Sequence, residues 1–170
     1  MAGLEELQYT VGEGPGVEAF EAGDPVLVGD LGEQRHRWPG LSDSAVPAGA
    51  AALFAFPLQA AALRLGTLAL YRRRAGELAE AELADALVLA ELATTALLVD
   101  SAGAAAAGTE PAGFYDDVHV ATGMLATELR VSLEDALLRL RAHAFSHRVP
   151  VTEVARAVVA RRLRFDTSSE

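Results

Sequence analysis

His143 and His147 stand four residues apart in the stretch RLRAHAFSHR (139–148), which also carries Arg139, Arg141 and Arg148. On a helix that spacing puts both imidazoles on one face, as in a zinc site. The surroundings do not suit a metal. No acid lies between the two histidines, so the H-E-x-x-H pattern is absent, and three guanidiniums nearby oppose a divalent cation. General acid–base catalysis needs an orienting carboxylate or a nucleophile beside the imidazole, and the stretch offers neither. Two readings stay open at this point: a solvated helix face, or a surface for anions.

The distribution of charge separates them. The chain of 170 residues has a formal net charge of -10, and all 14 of its basic residues are arginine. Residues 1–110 hold 6 arginines against 16 acids, whereas residues 111–170 hold 8 against 8. Within 136–165 there are 7 arginines and a single acid, Glu153. The C-terminal third is thus a basic module joined to an acidic one. Arg139, His143 and His147 recur at i, i+4, i+8, with Arg141 and Arg148 beside them, and Arg156, Arg161, Arg162 and Arg164 follow. Clustered like charge is unfavourable unless an anion relieves it, and the planar guanidinium fork suits phosphates and base edges. The pattern favours a nucleic acid as the anion.

Absences narrow the other classes. There is no cysteine, which excludes disulfides, thiolate metal sites and a cysteine nucleophile. The glycine-rich GEGPG (12–16) is no phosphate loop, because G-x-x-x-x-G-K-[ST] needs a lysine and the chain has none. It reads as a tight turn, with Pro15 placed to open a short helix through Phe20. Neither a secretory signal nor a membrane span is visible, so a cytoplasmic protein is expected.

The elements that must position these residues follow from periodicity. PVLVGDL (25–31), AALFAFPL (51–58) and LGTLALYRR (65–73) read as strands, with a turn and a short helix in WPGLSDSAVPAG (38–49). Leu78 to Val99 reads as a long helix. Leu83, Leu87, Ala90 and Leu97 mark one face, with Leu89, Leu92, Ala93 and Ala96 beside it. So wide an apolar surface implies burial on two sides, by a sheet and by a partner helix. SAGAAAAGTEPAG (101–113) has the composition of a linker.

Three helices are expected beyond it. Val118, Ala121, Leu125 and Leu129 form the apolar stripe of the first. Ser132 caps the second, with Asp135 three positions on, and Leu133, Leu137, Leu140 and Ala144 make its stripe. The third runs from Thr152 to Arg164, with Val154, Val158 and Leu163 inward, flanked by Ala155 and Val159. Gly123 lies inside the first helix, where glycine costs about 1 kcal/mol relative to alanine, and a close helix approach is the expected reason.

Residues 118–163 resemble the ANTAR domain, a three-helix module that binds RNA in bacterial transcription antiterminators. The resemblance rests on Ala121 and Gly123 in the first helix, on Ala136, Leu140, Arg141 and Ala144 in the second, and on Glu153, Val154 and Ala155 in the third. Upstream, LEELQYTVGEGPG (4–16), PVLVGDL, RWPG (37–40), FPL (56–58) and LGTLALY (65–71) are similar to the later portion of a GAF sensor domain of the actinobacterial GAF–ANTAR type. The opening helix and first strands of such a domain are expected to be missing.

The resemblance implies an α+β chain: a partial GAF-like antiparallel sheet with flanking helices over 1–100, a linker over 101–113, and an all-α three-helix ANTAR bundle over 114–166. It implies a cytoplasmic antitermination regulator that binds stem-loops in leader transcripts under control of a sensory or dimerising GAF-like half. Pattern and resemblance together make Arg139, Arg141, His143, Arg148, Arg156, Arg161 and Arg162 the candidates for phosphate and base contacts. Arg141, at the edge of the apolar stripe, has a structural role as its alternative. A homodimer through helix 78–99, the ANTAR helices or both is expected, and a small-molecule ligand of the GAF-like half is left open. No metal, cofactor or catalysis is expected. Two alternatives are a ligand- or protein-binding sensor that has lost RNA binding, and a DNA-binding regulator.

Overall fold

The structure, a computed structural model, describes residues 3–106 and 115–165. These fall into two compact units. The first comprises residues 3–8 and 12–106, the second residues 9–11 and 115–165.

The first unit is built on AALFAFPLQA, whose near-continuous apolar run suits a strand covered on both faces. It forms β2 (Ala52–Ala60), the centre of a three-stranded antiparallel sheet in the order β1-β2-β3, between β1 (Val26–Val28) and β3 (Leu63–Arg72). Phe54, Phe56 and Leu58 project to one face, where Ala86 and Ala90 of α4 (Glu80–Ala106) close over them. Leu53 and Ala55, also fully buried, point to the other face. On the sheet also packs α2 (Pro15–Ala22), while α1 (Leu4–Val11) precedes it and α3 (Pro39–Ala45) leads into β2.

Polar side chains fasten the loops of this unit. The buried Gln8 accepts a hydrogen bond from the Gly16 N–H at 2.8 Å and donates to the Tyr71 hydroxyl at 2.9 Å. The Glu13 carboxylate accepts from the Gly40 and Leu41 N–H groups at the start of α3, where free donors and the helix dipole favour an anion. GEGPG is the tight turn its composition implies. Gly14 has φ +135°, and a Cβ there would stand 2.6 Å from the Gln8 side chain. Pro15 opens α2 as expected.

Several elements differ from the sequence reading, the 65–73 strand only slightly, running from Leu63 to Arg72. The 25–31 strand is only three residues long. The 51–58 strand continues through Pro57 to Ala60, because β1 pairs no further along than Ala55 and the missing proline N–H has no ladder to break on that edge. A helix at 4–11 was not marked by periodicity. The long helix runs on to Ala106, so residues 101–106 of the expected linker are helical; its remaining residues, 107–113, lie outside the described ones.

Within the single chain the sheet buries one side of the long helix, and the side read as meeting a partner helix is exposed. Ala86 and Ala90 face the sheet with Leu83 and Ala93 beside them, whereas Leu87, Leu89, Leu92 and Leu97 are 40–61% exposed. Alanine lets the helix lie close on two phenylalanines, and that choice turns the larger leucines outward. Among the described residues no helix is long and apolar enough to cross a membrane.

The second unit is a three-helix bundle of α5 (Asp116–Leu129), α6 (Leu133–His147) and α7 (Val151–Val159). Its core is Val118, Ala121, Leu125 and Leu129 from α5, Ala136, Leu140 and Ala144 from α6, and Val151, Val154, Ala155 and Val158 from α7. The α5 stripe matches expectation completely. In α6 the stripe begins at Ala136 rather than Leu133, which is 63% exposed in the first turn. Ser132 caps α6 as expected: its Oγ accepts from the Asp135 N–H at 3.0 Å and donates to the Asp135 carboxylate at 2.7 Å. Tyr9 belongs to this unit, its ring stacked on Tyr115 with centroids 3.7 Å apart. The Thr10 hydroxyl accepts from the Val151 N–H, which heads α7.

Two further readings are corrected. The third helix ends at Val159, so Arg161, Arg162 and Arg164 lie beyond it, although Leu163 still packs on the core. Gly123 does not serve a close helix approach, because a Cβ built there meets nothing within 4 Å. Since nothing crowds an added methyl and a helix interior favours alanine, Gly123→Ala raises the stability of the bundle by about 0.5–1 kcal/mol. Urea unfolding followed through the amide signals of α5–α7 checks this; a loss of stability would restore the packing role.

Candidate nucleic-acid interface

Three helices this short bury little beyond small aliphatic side chains, and every arginine of the bundle stays partly or fully exposed to solvent. How each is held differs. Arg139 is half-buried along α6. Arg141 is tied inward: its Nε donates to the Tyr9 carbonyl at 3.0 Å, and its guanidinium lies 5.4 Å from the Tyr9 ring centroid. Arg156 pairs with Asp117 at 3.2 Å between two largely exposed side chains, which neutralises its charge locally. Arg139, Arg148, Arg161, Arg162 and Arg164 form no ion pair among the described residues.

The backbone places several of these charges at unusual positions. Arg130 after α5, Arg148 after α6 and Arg161 just past α7 all adopt the left-handed conformation, with φ of 56°, 55° and 55°. That conformation ends helices by returning N–H groups to the last carbonyls, and the residue that normally supplies it is glycine. Arg148 N–H bonds back to Ala144 and Phe145, and Val149 N–H to Ala144. Arg161 N–H bonds to Val158, and Arg162 N–H to Ala157. A Cβ in this region costs about 1–2 kcal/mol. Each arginine offsets part of that through the negative end of its helix, and each helix end thereby carries an exposed cation.

The two histidines lie against each other on α6. The His143 and His147 rings stack, with centroids 4.0 Å apart and planes at 18°. The His147 Nδ1 lies 2.9 Å from the His143 carbonyl and 3.0 Å from the Ser146 hydroxyl. The other edge of His143 meets Phe165, centroids 5.2 Å apart. Among the described residues no three His, Asp or Glu side chains converge to hold an ion. Burial, and then the charge of His147, hold the His143 imidazole below its ordinary value of 6.5. At neutral pH His143 therefore adds a flat, uncharged ring to this face rather than a cation.

One concavity of about 520 Å³ opens in the second unit, lined by Gly123, Met124, Thr127 and Glu128 of α5, by Val158, and by Arg161, Leu163 and Arg164 after α7. Of the seven candidate contact residues it includes only Arg161; Arg139, Arg141, His143, Arg148, Arg156 and Arg162 lie outside it. Arg164 and the two α5 polar side chains were not among the candidates.

The folded-state pKa of His143 lies below its unfolded value, so neutral His143 favours the fold. Stability present above pH 6.5 is lost as pH falls through the folded-state value, because the unfolded chain takes up the proton first. We expect the imidazole of His143 to titrate below 6.5 by NMR, and the bundle to lose stability as pH falls below 6.5. His143→Gln removes part of that loss; an unchanged pH profile in the variant would contradict it.

Comparison with the curated proteins and with the solved structures returned no match. A family model does match the bundle. Residues 116–159, from the first residue of α5 to the last of α7, match the ANTAR domain. The helices of the second unit are thus the part of the chain that matches the ANTAR domain.

Proposed function

We propose that the chain is a cytoplasmic transcription antitermination regulator rather than an enzyme, and that its ANTAR domain grips stem-loops of nascent leader transcripts. The observation that carries this reading is the set of left-handed arginines. Arg130, Arg148 and Arg161 occupy backbone positions where glycine would be more stable, and each keeps a cation at an exposed helix end of the domain. Arg139, Arg148, Arg161 and Arg162 are the residues proposed to meet phosphates. Arg141 and Arg156 already have partners inside the bundle, and His143 contributes a ring for stacking.

The first unit is the sensory or dimerising half in this reading. Its support is the likeness of its sequence to a GAF domain, the antiparallel sheet with helices against it, and the leucine face of α4. That face suits a second copy of the chain. A ligand of the first unit stays within the proposal without being identified.

Glycine in place of a left-handed arginine separates stability from binding. Arg148→Gly and Arg161→Gly leave the fold unchanged or stabilise it by about 1 kcal/mol. Each lowers affinity for an RNA hairpin and reduces the slope of log affinity against log salt by about one. Titration of the full chain with hairpins drawn from a randomised-loop pool, at several salt concentrations, gives both quantities. Hairpin binding that is absent, or insensitive to salt and to both substitutions, would overturn the proposal. Tighter binding to duplex DNA than to any hairpin would favour a DNA-binding regulator instead.

A further inference from the structure

Gly123 is unexplained by packing, and it opens onto the concavity between α5 and the segment after α7. A volume of about 520 Å³ falls in the range of small-molecule sites and is ample for one nucleotide. We propose that this concavity seats a single unpaired nucleotide from the loop of the bound RNA. This rests on the RNA-binding reading and deepens it, naming where the domain reads a base instead of a backbone.

The lining sorts the parts of a nucleotide by their chemistry. Arg161 and Arg164 suit the phosphate, and the guanidinium plane of either can also lie on a base. Glu128 repels a phosphate and accepts hydrogen bonds, so it takes the donor edge of the base. Val158 and Leu163 supply the apolar wall that a base face covers. The Thr127 hydroxyl donates to the Gly123 carbonyl at 2.9 Å, which leaves its lone pairs free to accept from a ribose 2′-hydroxyl. Any side chain larger than alanine at position 123 would project into this space. The glycine keeps it open.

Arg161 links the site to the rest of the domain. Its left-handed backbone turns the chain sharply after α7, so that Leu163 returns to the core while Arg161 and Arg164 reach the concavity. Arg161 thus brings a cation to the concavity from a turn where glycine would be less strained.

The test fills the cavity without touching a charge. Gly123→Leu places a side chain in open space on a residue with better helix propensity, so the domain stays folded, as circular dichroism and the thermal midpoint will show. The probe is the tightest hairpin selected from a randomised-loop pool, together with versions carrying an abasic site at each loop position in turn. With the wild-type chain one abasic position weakens binding on the order of tenfold. With Gly123→Leu the intact hairpin binds as weakly as that abasic hairpin does to wild type, and the abasic site costs nothing further. Should Gly123→Leu prove unstable, Glu128→Gln supplies the same comparison, changing which base is tolerated at that one position while leaving the salt slope as it was. If the wild-type chain binds hairpins but neither variant departs from it at any loop position, the nucleotide site is wrong and the RNA-binding reading stands. If the wild-type chain binds no hairpin, the RNA-binding reading itself fails and takes this site with it.

Discussion

Four alanines, Ala121, Ala136, Ala144 and Ala155, are completely buried in the core that α5, α6 and α7 share. Small side chains at such positions let helices of 14, 15 and 9 residues approach closely enough for a few larger groups, chiefly Leu125, Leu140 and Val158, to fill the centre. The same closeness leaves no interior room for charge. Every arginine of the bundle is driven to the rim, tied to a carbonyl, paired with an acid or left in solvent. That the arginines lie at the surface follows from how this core must pack, and where each stands is set by how each helix ends.

Those endings distinguish the domain from an ordinary basic bundle. A helix needs a left-handed residue to close its last turn tightly, and glycine does this without strain. Here the position is filled by Arg130, Arg148 and Arg161. Interaction with the helix dipole recovers part of the cost, and the rest is consistent with a surface selected for something other than stability. In the first unit strain lies elsewhere. Gly14 takes the demanding backbone position beside Gln8, and Glu82 reaches back to the Ala79 N–H to start α4, which with Arg72 holds its carboxyl below the usual range. That unit also has one left-handed non-glycine residue, Ala61 in the β2–β3 turn with φ 52°; in the ANTAR unit all three are arginines at helix ends.

Much of this is legible in the residues. Periodicity places Val118, Ala121, Leu125 and Leu129 in the core, Ser132 announces its cap, and Pro15 its helix. The departures have physical causes. Leu133 resembles the start of a stripe because spacing alone cannot tell that a first turn projects beyond its neighbours. Periodicity finds the wide apolar surface of α4 but not which part meets the sheet, where Ala86 and Ala90 are buried with Leu83 beside them. The third helix reads as longer because nothing in an arginine predicts the left-handed turn that Arg161 adopts. For the interface, composition finds the basic segment but not the difference between Arg141, which holds Tyr9, and Arg161, which faces the concavity. That distinction depends on tertiary contacts no local pattern encodes. The neutrality of His143 is equally hidden, since it arises from Phe165 and His147 enclosing the ring.

The central claim is that the ANTAR unit meets RNA with its helix ends and the concavity beside Gly123. Amide chemical-shift mapping of the full chain during titration with a selected RNA hairpin tests it most directly. The largest shifts are predicted at residues 123–130, at Arg148 and Val149, and at residues 161–164, with the sheet of the first unit little changed. Shifts concentrated on β2, β3 or the leucine face of α4, with residues 123–130 and 161–164 unmoved, would contradict it.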